Sequence, residues 1–380
     1  MATRDRLALS PDERALQATL RDFLAEQFPA AARRAAIDSE TGFSQALHDR
    51  LVRELGLGGL AVPEEYGGLG LTAAEASVVH AELGRVLYCG PFLAGCLAAT
   101  ALVSATAIRS ATGDLARSRW LPGLASGSVT GTVAAAGQDG RWHDGDTMVA
   151  AEQTADGWQL TGSRWYVLAG QVADVCVVPA VSAAGLGLYV VERSAAGVTA
   201  EPMPALDLTR RLSTVEFRRA PAVQIAEGEA ARDALNTIRA DFDLATAAEA
   251  AGGIGWCLDT AVSYAKNRCQ FGRPIGSFQA VAHQCADMLA DLQAASASAR
   301  YAAAATAENA ADAALATKVA VLRAGEGYRN AAEATIHVLG GIGFTWEHDA
   351  HLYYRRAWSA QQLADGAQAH RAAIADLAGL

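Results

Sequence analysis

The stretch Tyr264-Ala265-Lys266-Asn267-Arg268-Cys269-Gln270-Phe271-Gly272-Arg273-Pro274-Ile275-Gly276-Ser277-Phe278-Gln279 decides how this chain is read. Upstream of it, residues 229–267 carry helical texture, and downstream 278–306 do so again; Gly272 to Gly276, with Pro274, break the pattern between them. Moving outward toward the C-terminus, further helices are expected over 308–339 and 349–364, punctuated by Gly340 to Gly343. The alanine-rich 302–316 is read as helix. Toward the N-terminus, Val129 to about Ile225 shows short Val-, Trp- and Thr-rich runs between Gly/Asp turns. Trp158–Leu160 and Trp165–Leu168 read as strands around a Gly162 turn, Val175–Val178 as a strand stopped by Pro179, and Gly187–Val191 as another.

The first 125 residues read as helices. Ser10-Pro11-Asp12-Glu13 opens one with a capping serine, proline at the first position and acids in the first turn, and Leu16, Leu20, Phe23 and Leu24 follow at helical spacing. A loop is expected over Val62 to Leu71 and a helix over about 72–87. The expected class is α+β: an N-terminal helical domain (1–125), a central β domain (126–227) and a C-terminal four-helix bundle (228–380).

Composition narrows the function. Hydrophobic residues make up 51% and charged ones 19%, which excludes disorder and a small disulfide scaffold. The net charge of −10, with lysine only at 266 and 318 and no basic run, lacks the footprint of a nucleic-acid binder. Six scattered cysteines, without CxxC spacing, fit a reducing cytoplasm. The start, MATRDRLALSPDERA, is charged where a signal peptide needs an apolar core. Val86 to Ile108 has no charge, but Gly90-Pro91 makes it a helix end, a turn and a buried helix start rather than a membrane span.

Three kinds of chemistry find no support in the motifs. Glu347-His348-Asp349-Ala350-His351 lacks a further Cys or His to complete a metal site and reads as a polar helix start. No GxSxG is present, and no cysteine neighbours a histidine. Ala251-Gly252-Gly253-Ile254-Gly255 does not follow a strand, so it is no dinucleotide fingerprint.

The combination of segments is more informative. The RxxFG…FQ stretch is followed by His337-Val338-Leu339-Gly340-Gly341-Ile342-Gly343-Phe344-Thr345, and preceded by Leu160-Thr161-Gly162-Ser163-Arg164-Trp165 and Pro63-Glu64-Glu65-Tyr66-Gly67-Gly68-Leu69-Gly70. In this order the four segments resemble the acyl-CoA dehydrogenase family, in a divergent actinobacterial-type branch, over nearly the whole chain. The resemblance implies a barrel-like central domain, FAD between that domain and the bundle, and a homo- or hetero-oligomer, a dimer or tetramer. It implies oxidation of an acyl-CoA to the trans-2-enoyl thioester in fatty acid or lipid metabolism, with electrons passed to an electron-transfer flavoprotein. Arg268 would pair with the FAD pyrophosphate, and Phe271 and Gln279 would border the flavin. His337, Gly340 and Gly341 would approach from a partner subunit, and Trp165 would flank the isoalloxazine ring.

A carboxylate base must take the α-proton. Most relatives carry a Glu-Gly beyond GGxGF; with one residue inserted, Asp365-Gly366 takes that place, and without it Ala364 does. Others carry the base on the earlier helix, at a place that falls on Phe242 between Asp241 and Asp243; Asp243 stands where many relatives have arginine. Glu249, two turns on, reads as structural. Three departures stand out: Val133 to Gly140 replaces the usual TEPxxGSD-like loop, Val167 occupies the place of a flavin-binding threonine, and His337 replaces glutamine. The alternatives are a half-site subunit of a mixed-subunit dehydrogenase and a flavin oxidase on the same scaffold. The small residues Ala247, Ala248, Ala251, Gly252 and Gly253 hint at room for a bulky acyl chain.

Overall fold

The computed structural model describes residues 5–105, 111–142 and 148–380. Helices come first: α1 (Pro11–Gln27), α2 (Ala30–Asp38), α3 (Gln45–Asp49), α4 (Ala73–Arg85), α5 (Phe92–Ser104) and α6 (Ala111–Ser126). Ser10 caps α1 as expected, in a capping box with Glu13. The apolar 86–108 stretch is the end of α4, a turn at Gly90-Pro91 and the buried α5; residues 106–108 lie outside the described residues. Among the described residues no helix is long and apolar enough to cross a membrane.

Seven strands follow: β1 (Gly131–Val133), β2 (Val149–Thr154), β3 (Gly157–Leu168), β4 (Val175–Ser182), β5 (Gly185–Glu192), β6 (Val198–Pro202) and β7 (Leu212–Glu227). The order β4-β2-β3-β7-β5 closes back onto β4, so these five strands form a barrel, with β1 on β4 and β6 on β7. Alternation sorts their side chains: Cys176, Val178, Tyr189 and Val191 fill the barrel interior, while Val175, Val177, Leu188 and Val190 join the core shared with the helices.

Two strand expectations are corrected. Gly162 is no turn, for β3 runs straight through it; a Cβ there would lie 2.0 Å from the Met148 carbonyl, so glycine permits close strand approach. Pro179 does not stop β4, which continues to Ser182; the Pro179 carbonyl accepts a hydrogen bond from the buried Arg164.

After β7 come α7 (Gly228–Asn267), a small hairpin of β8 (Cys269–Gln270) and β9 (Arg273–Pro274), then α8 (Gln279–Ala307), α9 (Ala313–Leu339), α10 (Ala350–Leu363) and α11 (Gly366–Ala378). The last helix was not anticipated, and the third starts at Ala313 rather than 308 because residues 308–312 form the connecting turn. Tyr264 of α7 packs against Ile336 and Leu339 of α9, and Lys318 reaches Asp243, so α7 and α9 run side by side in one direction.

Candidate functional site

The direction of α7 places the expected site residues at two separate ends. At its C-terminus, Arg268 caps the helix and leads into the hairpin, whose turn puts Phe271 (φ 52°) and Gly272 (φ 78°) both in the left-handed region. Phe271 is 92% exposed. Gln279 begins α8 beside it, and His337, Gly340 and Gly341 end α9 at the same end of the bundle. Arg268 is exposed and, among the described residues, has no acidic partner. A Cβ on Gly340 or Gly341 would meet nothing, so their backbone stands open. Ile342, Phe344 and Trp346 are exposed here too.

The other end faces the barrel. Asp365 caps α11 with a left-handed φ of 66°, and its carboxylate pairs with Arg239. Both line a cavity of about 380 Å³ with Trp142, Lys318 and His370. A second, narrow cavity shares the Trp142 and Ala135 walls and adds Trp165, Tyr166, Leu168 and Phe242. Within it Trp142 stacks on Phe242, ring centres 6.1 Å apart. Burial lowers the His370 pKa and favours the neutral ring.

The other acids are placed differently. Asp243 is fully buried, accepts from Lys318 Nζ at 2.6 Å, and lines neither cavity. Asp241 accepts from Thr100 Oγ1 at 2.7 Å; burial raises its pKa, with the hydroxyl pulling the other way. Burial works to raise Glu249 as well, but Arg210, with His80 and Arg356, holds it at about 2. It belongs to a buried ionic cluster in which Arg356 also grips Asp207 (2.9 Å) and Thr209 (2.6 Å), tying the 203–211 loop to the bundle. Asp349, in the His348/His351 segment, has its carboxylate taken up by Arg33 and Arg34.

One expectation about the walls changes and another is refined. Val167 faces the barrel interior, so its side chain cannot stand at the flavin; Tyr166 and Leu168, on either side of it, face the narrow cavity. The small residues of α7 serve both space and contact: Ala248, Ala251 and Gly252 line an open cavity of about 720 Å³ that α1, α4 and α8 also border. A Cβ on Gly252 would lie 1.9 Å from the Ala81 carbonyl, and one on Gly84 2.2 Å from the Glu249 carbonyl, so both glycines let α4 and α7 touch. The Val133–Gly140 segment supplies Ala135, Ala136 and Gly140 to the narrow cavity, with no described hydroxyl among them.

Comparison with known proteins places this arrangement. Residues 10–128 match the acyl-CoA dehydrogenase N-terminal domain, and 229–376 match the C-terminal domain. Acyl-CoA dehydrogenase IpdE2 of Mycobacterium tuberculosis is 34% identical over 93% of both chains. The chain belongs to the acyl-CoA dehydrogenase family. FadE34 of the same organism is 37% identical over 86% of this chain, which spans 42% of that longer protein. Among solved structures, a chain of the ChsE4–ChsE5 complex of Mycobacterium tuberculosis shares 26% identity with a TM-score of 0.86, covering 97% of this chain and 98% of that one.

Acyl-CoA dehydrogenases are FAD-dependent oxidoreductases, and the residues present fit that cofactor. Arg268 offers a free guanidinium suited to a pyrophosphate, the Gly340-Gly341 backbone is open for close approach, and Trp165, Tyr166 and Trp142 bring aromatic side chains together around the narrow cavity of about 20 Å³. These features do not meet within one chain. Arg239 lies 29 residues before Arg268, the C-cap of the same 40-residue helix, about 43 Å along it at 1.5 Å per residue, further than one extended FAD reaches. Within this chain Arg268 and His337 stand together, at the end of the bundle opposite Asp365.

Proposed function

We propose that this chain is an FAD-dependent acyl-CoA dehydrogenase whose site is completed by a second chain. One chain contributes the cleft of Trp165, Tyr166 and Asp365. The other contributes Arg268 for the pyrophosphate, the Gly340 and Gly341 amides with His337, and Phe271 and Gln279 along the cofactor. FAD, when bound, accepts the hydride from the substrate β-carbon. Asp365 takes the α-proton: among the described residues it is the one acid lining the outer cavity, and this observation carries the reading. Arg239 holds the Asp365 carboxylate until substrate displaces it, and Trp142 swings off Phe242 to admit the acyl group. A trans-2-enoyl thioester leaves, electrons pass to an electron-transfer flavoprotein, and the setting is cytoplasmic lipid metabolism.

A second reading, a half-site subunit of a mixed-subunit enzyme, draws on the same cleft. Phe242 occupies the alternative base position, Asp365 is engaged by Arg239, and Trp142 fills the space between. Such a chain would lend its Arg268 end to a partner's flavin. The visible spectrum of the protein purified alone, repeated after anaerobic addition of acyl-CoA thioesters, separates the two. A flavin band that bleaches supports the dehydrogenase; a chain that stays colourless with FAD supplied, and turns active only with a partner, supports the half-site reading.

A further inference from the structure

We infer that the inner end of this acyl site accepts a carboxylate at the far end of the acyl group, so that the substrate class is an ω-carboxyacyl thioester rather than a plain fatty acyl one. The inference rests on the acyl-CoA reading above and follows a row of three neighbouring cavities inward, the middle one of about 20 Å³. The outer cavity and the narrow one share Ala135 and Trp142, and the narrow one shares Leu168 with an inner cavity of about 40 Å³. The helix α7 borders all three in turn, through Arg239, Phe242 and Glu249. The ten-residue separation from Arg239 to Glu249 spans about 15 Å of helix.

The inner cavity begins apolar, at Leu93 and Leu168, and ends in charge at Thr209, Arg210, Arg211 and Glu249. Arg210 is 8% exposed; one arm of its guanidinium pairs with Glu249, while Nη1 is buried with no hydrogen-bond partner. Arg211 donates through Nη2 to the carbonyls of Ile37 (2.8 Å) and Ser39 (3.2 Å), leaving its buried Nε unpartnered. A buried donor left unmade is costly, and two beside one cavity call for an acceptor.

Charge decides which acceptor. Three guanidiniums, Arg210, Arg211 and Arg356, stand here against two carboxylates, Glu249 and Asp207. Glu249 already serves Arg210, Arg356 at 3.5 Å and His80 at 3.8 Å, and no other acid lines the cavity among the described residues. One positive charge is thus unbalanced, which favours a carboxylate over a neutral carbonyl. The volume holds roughly three water-sized groups at 10–15 Å³ each, enough for one carboxylate. An extended chain gains about 1.2 Å per bond, so about 15 Å corresponds to roughly twelve bonds from the Asp365 level.

Binding of dodecanedioyl-CoA and dodecanoyl-CoA to the FAD-supplied protein, measured by calorimetry, tests this. The expected result is that the dicarboxylic thioester binds on the order of tenfold tighter or more, the weight of one charge-assisted pair, and that Arg210→Gln brings the ratio close to one. Equal or weaker binding of dodecanedioyl-CoA to the unaltered protein overturns the inference, whether or not Arg210→Gln folds. A preference that survives in both Arg210→Gln and Arg211→Gln also overturns it. If dodecanoyl-CoA binds and bleaches the flavin without such a preference, only this inference fails; if neither thioester binds, the acyl-CoA reading falls and takes the inference with it.

Discussion

Replacing Lys318 by methionine strands the Asp243 carboxylate at 0% exposure, with Oδ1 already lacking a partner. Removing one member of a buried pair costs about 3–5 kcal/mol, and the 23% exposure of Lys318 puts this case near the lower figure. The reverse change is milder. In Asp243→Asn the ammonium can turn to water from its half-open position and the amide oxygen still accepts, so the loss is about 1 kcal/mol. The gap of about 2 kcal/mol is more than tenfold in the folded-to-unfolded ratio. Pulse proteolysis across a urea series measures both variants, and Asp243→Leu with Lys318→Met should recover most of the loss. Equal costs for the two single variants would refute the reasoning. So would an Asp243→Asn protein of unchanged stability that no longer bleaches with substrate, because Asp243 would then be the base.

Three further outcomes follow from the same contacts. Glu249 is held at about 2, below its ordinary 4.5, and buried His48 at about 4, below 6.5, beside the Tyr88 hydroxyl at 2.9 Å. Both are depressed in the fold, so the stability each contributes is present above its unfolded value and is lost on acidification, from pH 6.5 to 4 for His48 and from 4.5 toward 2 for Glu249. Proton uptake on unfolding, measured by calorimetry at pH 5, should fall by close to one proton in His48→Gln. Gly252→Val drives atoms into the Ala81 carbonyl and should lower the melting temperature by several degrees, whereas Gly95→Val in α5, where a Cβ meets nothing within 4 Å, serves as the comparison. Val167→Thr buries a hydroxyl inside the barrel and should cost about 1–3 kcal/mol in urea unfolding without altering the flavin spectrum, while Leu168→Thr should shift that spectrum at little cost.

Much of this architecture is visible in the order of residues. Ser10 and Glu13 announce α1 because a capping box is local chemistry, and the RxxFG hairpin with GGIGF marks the end of the bundle. What stays hidden depends on distant partners. The parity of β3 at Val167 cannot be counted from sequence, since irregular pairing with β7 between Arg164 and Val167, with Tyr166 at φ 52°, resets which side chains face out. Trp142, Arg239, Lys318 and His370 come from four separate segments and carry no motif. The alanines and glycines of α7 suggest space in sequence, yet Gly252 also serves contact with α4 and Gly253 contact with Tyr328 of α9, which shows only once the helices are placed.

The central claim is that one flavin site takes its Asp365 end from one chain and its Arg268 end from another. Co-expression of an Arg268→Ala chain with an Asp365→Asn chain tests it directly, with acyl-CoA-dependent flavin bleaching as the readout. Each variant alone should be inactive, and random pairing should restore activity to about a quarter of the unaltered sites, because a mixed dimer joins one intact cleft to one intact hairpin. No recovery in mixed dimers, with each variant folded, would contradict the account and put the whole site within a single chain.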